Sequence, residues 1–474
     1  MSDSDLEASQ AEAAATATEE TRLDEDDRLR PEYVDQVLEK LEAGDAEGVR
    51  ALVEPLHPAD IADLFELVDR EERRALAAAL ADLLDGDVLA EMNEWVREEL
   101  IDELEPHEVA EIAGELETDD AVALIEDMEE EEQRAVLRAL DPDDRAAIEE
   151  ALSYPEDSAG RLMRRDVVAV PEHWTVGHII DYLRAGDELT TDFWEVFVVD
   201  PAHRPVGTCL LSWILRTPRR IAVADVMQRE QTLLPVDMDQ EEVALRFQKY
   251  ALISAAVVDQ GGRLVGMITA DDVAHIIQEE ASEDALLLSG AGAEGDINEP
   301  IRLTVRTRLT WLVVNLGTAI LASSVVGLFQ GEIAKFALLA VLMPIVSGMG
   351  GNAGTQTLAV VVRAIATNQL TDSNTGRMIL REFRIAAANG LALGILIGLG
   401  TFLIFHHLNL SIVIGLAMII NNLIAGLAGV LIPVTLDRLR IDPAVSSAVF
   451  VTMMTDCMGF FSFLGLALLW DLGG

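Results

Sequence analysis

Residues 444–470 read AVSSAVFVTMMTDCMGFFSFLGLALLW, an apolar run with a single acid, Asp456, near its centre. The run exceeds the ~20 residues that a helix needs to cross a bilayer. A carboxylate at mid-membrane depth is costly, so it marks an ion or substrate path rather than packing. No other acid of the apolar half is expected as deep, which makes the identity of the ion the central question.

Four further apolar stretches precede this one, at about 309–329, 333–362, 385–406 and 411–436, and the fifth extends over 443–470. All are long enough to span. Arg302, Arg306 and Arg308 precede the first, Arg363, Arg377, Arg381 and Arg384 follow the second, and Arg438 and Arg440 follow the fourth. The opposite side carries only Lys335. Positive charge stays on the cytoplasmic side. The expectation is a multi-pass protein of the cytoplasmic cell membrane, in contact with lipid, its N-terminus inside and its C-terminus outside.

Charge divides the chain in two. Of 83 Asp+Glu and 34 Lys+Arg, seven and ten fall in residues 301–474, which leaves 76 and 24 in residues 1–300. Such an acidic half repels phosphate, so nucleic acid is excluded as a partner, and it attracts cations. Adaptation to high salt explains the same surplus and does not compete with that role. Cys209 lies in an expected soluble strand and Cys457 in the membrane, so no disulfide is expected. Residues 1–30 are polar and acidic and have neither the basic nor the apolar region of a signal peptide. They read as a disordered tail.

Residues 31–155 show helical periodicity, as in Ile61, Leu64, Phe65 and Val68. Pro58, Pro106 and Pro142, each followed by acids, mark helix starts. Their recurrence predicts a small superhelical domain. His57 and His107 sit at such starts and read as turn residues rather than metal ligands. The rhythm then changes to alternating strands and helices. Residues 193–200 (FWEVFVVD) and 205–211 return as 255–259 (AAVVD) and 262–269 (GRLVGMIT), an internal repeat of roughly 60 residues. The boundaries drawn from this pattern are 156–220 and 221–277 for the two modules, 278–300 for a connecting helix and linker, and 301–474 for the membrane domain.

Residues 344–356 (PIVSGMGGNAGTQ) interrupt the second span with a proline, four glycines, Asn352 and Gln356. Irregular backbone at membrane depth is tolerated where it is buried or lines a water-filled path. Pro344 frees an upstream carbonyl, and Gly348, Gly350, Gly351 and Gly354 allow backbone to approach a partner helix or an ion. Asn352 and Gln356, four apart, share a face if helical. Gly390, Gly394 and Gly398 in the third span form a stripe suited to packing within the bundle, or alternatively to a dimer seam. Asn421 and Asn422 read as hydrogen-bonding neighbours of adjacent helices, with a pore-facing role as the alternative.

The pattern Pro-x3-Gly-x2-Gly-Asn-x-Gly-x-Gln at 344–356 resembles the signature of the MgtE magnesium channels and transporters, relatives of the animal solute carriers of family 41. The repeat at 156–277 resembles a tandem of CBS modules, which are regulatory rather than catalytic. Residues 154–163 (YPEDSAGRLM) resemble the family's link into its first CBS module, and Asp442-Pro443-Ala444 and residues 455–459 (TDCMG) resemble the start and centre of its last span. The resemblance implies a helical N domain, an α/β CBS pair and an all-α domain of five transmembrane helices. It further implies a non-enzymatic homodimer in which Asp456 faces a central pore and holds a hydrated Mg2+.

Mg2+ is a hard ion that wants octahedral oxygen and dehydrates reluctantly. Asp456 from each subunit, with Asn352, Gln356 and backbone at Gly348 and Gly351, suits it, while Pro344, Gly350 and Gly354 would shape the motif. Cys457 points to another side of the helix from Asp456, and with no His beside it a soft-metal site is disfavoured. Ala448 stands where relatives often carry a polar Asn.

The resemblance also implies sensing of cytosolic Mg2+ by Glu241, Asp272, Glu280, Glu283 and Asp284, and adenine nucleotide such as ATP at the CBS pair. His275 and Ala251 occupy places where carboxylates are expected. Two alternatives stand beside a Mg2+-gated Mg2+ channel: a transporter of Co2+ or Mn2+, since oxygen sites discriminate poorly among these ions, and a CBS-based, nucleotide-sensing membrane regulator. An aspartyl protease needs two deep carboxylates.

Overall fold

A computed structural model describes residues 22–102, 104–126, 128–185, 193–292, 295–445 and 447–470. The chain forms two compact units that meet at residues 276 and 277. Most of the tail expected at 1–30 lies outside the described residues. Residues 22–30 do not behave as a loose tail, because Leu23 bridges Leu29 and Leu29 is buried in the helical core.

Among the described residues the first unit holds ten short helices before its sheets: α1 Pro31–Glu42, α2 Ala46–Val53, α3 Pro58–Leu67, α4 Arg70–Ala79, α5 Gly86–Ala90, α6 Glu94–Ile101, α7 Pro106–Glu115, α8 Thr118–Ile125, α9 Glu130–Ala139 and α10 Pro142–Ala151. Pro58, Pro106 and Pro142 each open a helix, where a missing N–H costs nothing. Asp45, Asp69, Asp85 and Asn93 cap others with side-chain acceptors. His57 caps α3 through its ring nitrogen, which accepts from the Ala59 N–H. Leu64, Phe65, Leu76, Val96, Ile125, Val136 and Ile148 share one core. Arg73, 5% exposed, reaches the Phe65 and Val68 carbonyls and Glu99.

Two copies of one small sheet follow. The first orders β1 Ala169–Pro171, β2 Glu195–Val199 and β3 Pro205–Leu210, with α11 Val176–Ala185 between β1 and β2 and α12 Leu211–Arg216 after β3. The second orders β4 Leu233–Pro235, β5 Ser254–Val258 and β6 Leu264–Thr269, with α13 Gln240–Tyr250 between β4 and β5. In both, the first pair is parallel and the second antiparallel, and the register shifts at the same place, Val198/Val199 and Val257/Val258. Phe197, Val199, Ala256, Leu264 and Met267 form a core shared by the two copies. Ala251 ends α13 in the left-handed conformation (φ 50°), so its place is set by a helix cap.

The link between helices and sheets is clamped onto the second module. Ala159 and Gly160 N–H groups donate to the Met238 and Val236 carbonyls, and Arg164 exchanges two backbone bonds with Met267. A Cβ at Gly160 would lie 2.6 Å from the Tyr154 ring and 2.9 Å from the Val236 oxygen, so only glycine allows this approach. The last helix, α14 Ala270–Ser289, starts directly after β6. The separate connecting helix expected from 278 is thus the continuation of the CBS helix, since nothing between Ala270 and Ser289 breaks it.

The second unit holds α15 Ile301–Leu328, the short α16 Gln330–Lys335, α17 Leu338–Ala366, α18 Thr375–Phe405, α19 Leu408–Arg438 and α20 Ser447–Leu469. Five of these are long and apolar enough to cross a membrane. The first, third and fourth outrun the expected apolar stretches because their polar ends remain helical, the second starts at Leu338 rather than 333, behind α16, and the fifth is described from Ser447 to Leu469 within the expected 443–470.

The expected interruption at 344–356 is absent: α17 runs unbroken through Pro344. Backbone in a bilayer must satisfy its own hydrogen bonds. Gly350 and Gly354 serve close helix approach instead of unwinding. A Cβ at Gly350 would meet Asn421 Nδ2 at 2.1 Å, and one at Gly354 would meet Val451 at 2.5 Å. The stripe of Gly390, Gly394 and Gly398 packs on α19, with the backbone oxygens of Ile419, Gly415 and Ser411 at 2.7–3.2 Å from added Cβ atoms. That is packing within the bundle.

Candidate pore and cation-sensing sites

Asp456 lies near the middle of α20 and is half-buried. The Ser347 hydroxyl of α17 donates a hydrogen bond to its Oδ1. One turn further along both helices, Gly350 and Gly459 close on Asn421 of α19, which is fully buried and donates from Nδ2 to the Val346 carbonyl at 2.7 Å. Three helices are tied together here, and the tie sets the separation of Ser347 and Asp456. Asn421 therefore takes the interhelical role, whereas Asn422 donates to Met418 of its own helix. Sequence reasoning missed Ser347, although it sits inside the quoted motif.

The other motif residues divide by burial. Gly350 and Gly354 are buried between helices, while Gly348 and Gly351 face open space, with nothing within 4 Å of an added Cβ. Asn352, Gln356 and Pro344 are exposed on the single chain. Gln356 lines a crevice of about 200 Å3 with Thr357, Asn389, Asn422 and Glu382.

Glu382 is a second buried acid of the membrane unit, although it lies near the start of its helix and not at its middle as Asp456 does. It lies inside α18, is 5% exposed, accepts from the Thr357 hydroxyl at 3.4 Å and pairs with Arg381 at 3.5 Å. It was missed because the apolar stretch starts at 385, whereas the helix starts at Thr375.

The soluble acids are distributed over several helices. Glu241 lies in the first turn of α13, its N–H bonded to the capping Asp239. Asp272 lies in the first turn of α14 and accepts from the Thr269 N–H and hydroxyl. Glu280, Glu283 and Asp284 lie in the second half of α14. Burial, and then the charge of Asp442 in the turn before α20, push the Asp284 carboxyl up. Leu287 and Leu288 of α14 pack with Leu358, Val362, Ala444 and Val451, so the end of α14 that follows these acids rests on the helices of its own unit.

A further cluster went unforeseen. Glu117, Asp119 and Asp120 place carboxylate oxygens within 4.8 Å of one another, a set that could hold a metal ion. Burial, with Asp120 and Asp272 next, pushes Asp119 well above the usual carboxylate range, and its Oδ1 is buried without a hydrogen-bond partner. Arg164 reaches into the same cluster. Its guanidinium pairs with Glu117, with Asp119 at 3.3 Å, with Asp271 at 3.0 Å and with Asp272. The available signal was the cluster of Arg161, Arg164 and Arg165 within a strongly acidic half of the chain.

A family model described as a divalent cation transporter matches residues 343–466, one described as the MgtE intracellular N domain matches 56–157, and one described as a CBS domain matches 223–279. The magnesium transporter MgtE of Enterococcus faecalis is 35% identical over 425 residues, 89% of this chain and 93% of that protein. The chain belongs to the MgtE family of magnesium transporters. The MgtE of Thermus thermophilus is 33% identical over 322 residues, 67% of this chain and 71% of that protein. Among solved structures, the cytosolic domain of the Mg2+ channel MgtE in complex with ATP is 32% identical and covers 51% of this chain and 99% of that one, with a TM-score of 0.47. The MgtE assignment brings together the N domain, the CBS domain and the five apolar helices read from the sequence. The family model matches the second CBS copy, and the identical strand order identifies the first.

Proposed function

We propose that this MgtE chain is a homodimeric, Mg2+-selective channel of the cytoplasmic membrane, oriented with both acidic domains inside and closed by cytosolic Mg2+. The observation that carries the reading is the Asp456 carboxylate, half-exposed at the middle of a membrane helix and oriented by Ser347. A half-exposed acid at that depth is stable only beside water, protein or an ion. Two such carboxylates across a dimer axis, with Asn352 and Gln356 and backbone near Gly348 and Gly351, would offer oxygen alone. That chemistry suits Mg2+ that keeps part of its hydration shell.

Closure is assigned to the soluble acids. Glu241, Asp272, Glu280, Glu283 and Asp284 are the proposed sensors, and the packing of Leu287 and Leu288 against α17 and α20 supplies a route from Asp284 to the helices that hold Ser347 and Asp456. Where no arginine bridges them, like-charged faces repel without bound ion, and a bridging divalent ion would draw them together. Adenine nucleotide at the CBS pair remains part of this proposal.

The test is Mg2+ uptake into proteoliposomes by wild type and Asp456→Ala, with Mg2+ on the soluble-domain side stepped from zero to millimolar. Loss of uptake in the variant and inhibition of wild type by that Mg2+ are the expected results. Unchanged uptake in the variant would remove Asp456 from the pore and favour a CBS-based regulator. Equal uptake of Co2+ or Mn2+ would replace Mg2+ selectivity by a general divalent path.

A further inference from the structure

Five carboxylates converge at the junction of the helical domain and the second CBS module. Glu117, Asp119 and Asp120 come from the start of α8, Asp271 and Asp272 from the start of α14. Such a cluster is self-repelling unless a cation enters it. The chain supplies one. Arg164, its side chain 13% exposed, uses all three guanidinium nitrogens on acids of both domains: Nη1 on Glu117, Nε on Asp119, and Nη2 on Asp271 and Asp272.

Its position is fixed at both ends. The Arg164 backbone is paired with Met267, and the other Asp272 oxygen is held by Thr269. Neighbouring arginines of the same segment repeat the theme, Arg161 towards Glu126 and Arg165 towards Glu150, both on the helical domain. A planar guanidinium matches several carboxylates at once and cannot lose its charge.

We propose that Arg164 is a tethered cation that clasps the helical domain onto the CBS pair, so that this junction closes without a divalent ion and an incoming ion must compete with the guanidinium. Direct pairing of this kind survives salt that screens longer-range repulsion. The proposal rests on the gating reading only for its consequence in transport: the Asp272 end of the sensor would be preset closed, and the response to Mg2+ would fall to the acids of α14 beyond it. The clasp itself is independent of whether the chain conducts.

The experiment reads distance, not transport. Spin labels are placed at the exposed positions Glu111 on the helical domain and Glu230 on the CBS pair, in full-length protein carrying Cys457→Ser. Distances are measured in chelator and in millimolar Mg2+. In wild type one narrow distance is expected in both conditions. In Arg164→Gln the chelator distribution should broaden and lengthen, and Mg2+ should restore the wild-type distance, which a misfolded chain could not do. Arg164→Lys, which keeps the charge and loses the fork, should fall between. A wild-type distance that shortens only with Mg2+, or an Arg164→Gln chain as closed in chelator as wild type, overturns the clasp. Failure of uptake in wild type would overturn the channel reading and leave the distance result standing.

Discussion

The Ser347 hydroxyl on α17 donates its hydrogen bond to the Asp456 carboxylate on α20, across a sequence separation of 109 residues. The two helices thereby fix which oxygen of the acid is occupied, leaving Oδ2 for the proposed cation. A hydrogen bond to a charged group contributes more than a neutral one.

Removing that donor should loosen the acid without removing its charge. Ser347→Ala is expected to raise the KM for Mg2+ uptake roughly tenfold, equivalent to about 1.4 kcal/mol, while the maximal rate changes less. A titration of initial uptake rates against Mg2+ checks this; an unchanged KM would mean that the hydroxyl has no part in orienting the acid.

Glycines of one motif should differ in what they tolerate. Gly350→Ala places a methyl at Asn421 Nδ2 and should cost about 1–3 kcal/mol of stability through overpacking. Gly348→Ala meets nothing within 4 Å and should leave stability unchanged or slightly raised, since alanine suits a helix better. Thermal unfolding of both variants in detergent separates the two. Uptake that falls in the stable Gly348→Ala variant would then report on the ion path.

Asp284 stands against Asp442 at the foot of α20. Burial first, and then repulsion by Asp442, raise the Asp284 carboxyl, and a divalent ion bound between the two acids would relieve the second. Asp284→Asn should therefore shift inhibition of uptake to higher cytosolic-side Mg2+, by threefold or more, with uptake in zero Mg2+ intact. An inhibition curve that superimposes on wild type would exclude Asp284 from sensing.

For Asp119 the sign of the pH dependence follows from its raised position. The folded chain holds a proton on this carboxyl at a pH where the unfolded chain does not, so its charge penalty is present above the raised value and is relieved as pH falls towards 3.8. Asp119→Asn keeps an acceptor for Arg164 and removes the penalty. It should unfold about 2–4 °C above wild type at pH 7.5, the effect of roughly 1 kcal/mol in a unit of this size. The gap should close towards pH 5. A gap that widens on acidification would contradict the assignment.

Features set by local chemistry were legible in the sequence. Pro58, Pro106 and Pro142 open helices because the first turn does not need their N–H, and the paired strands of the CBS modules announce themselves by β-branched runs. Asp456 was visible because one charge interrupts an apolar stretch. What stayed hidden depends on partners far along the chain. Glycine-rich sequence at 344–356 permits both an unwound segment and a tightly packed helix, and only Asn421, 75 residues from Val346, decides between them. Arg164 reads as an ordinary surface base until Asp119 and Asp272, 45 and 108 residues away, are brought to it. Glu382 was hidden for a simpler reason, because polar turns at a helix end do not register as part of a span.

Asn421 acts as a rivet through three helices. A rivet forbids sliding, because translation of α17 or α20 would drive a Cα into the amide at Gly350 or Gly459, yet it leaves rotation free. If the proposed path opens and shuts by movement of these helices, that movement would be a scissoring about one point, with the largest excursions at the helix ends. Ser347 and Asp456 lie one turn from the pivot, where a lever moves least. The Ser347–Asp456 pair would then keep its geometry while the helix ends around it move apart or together.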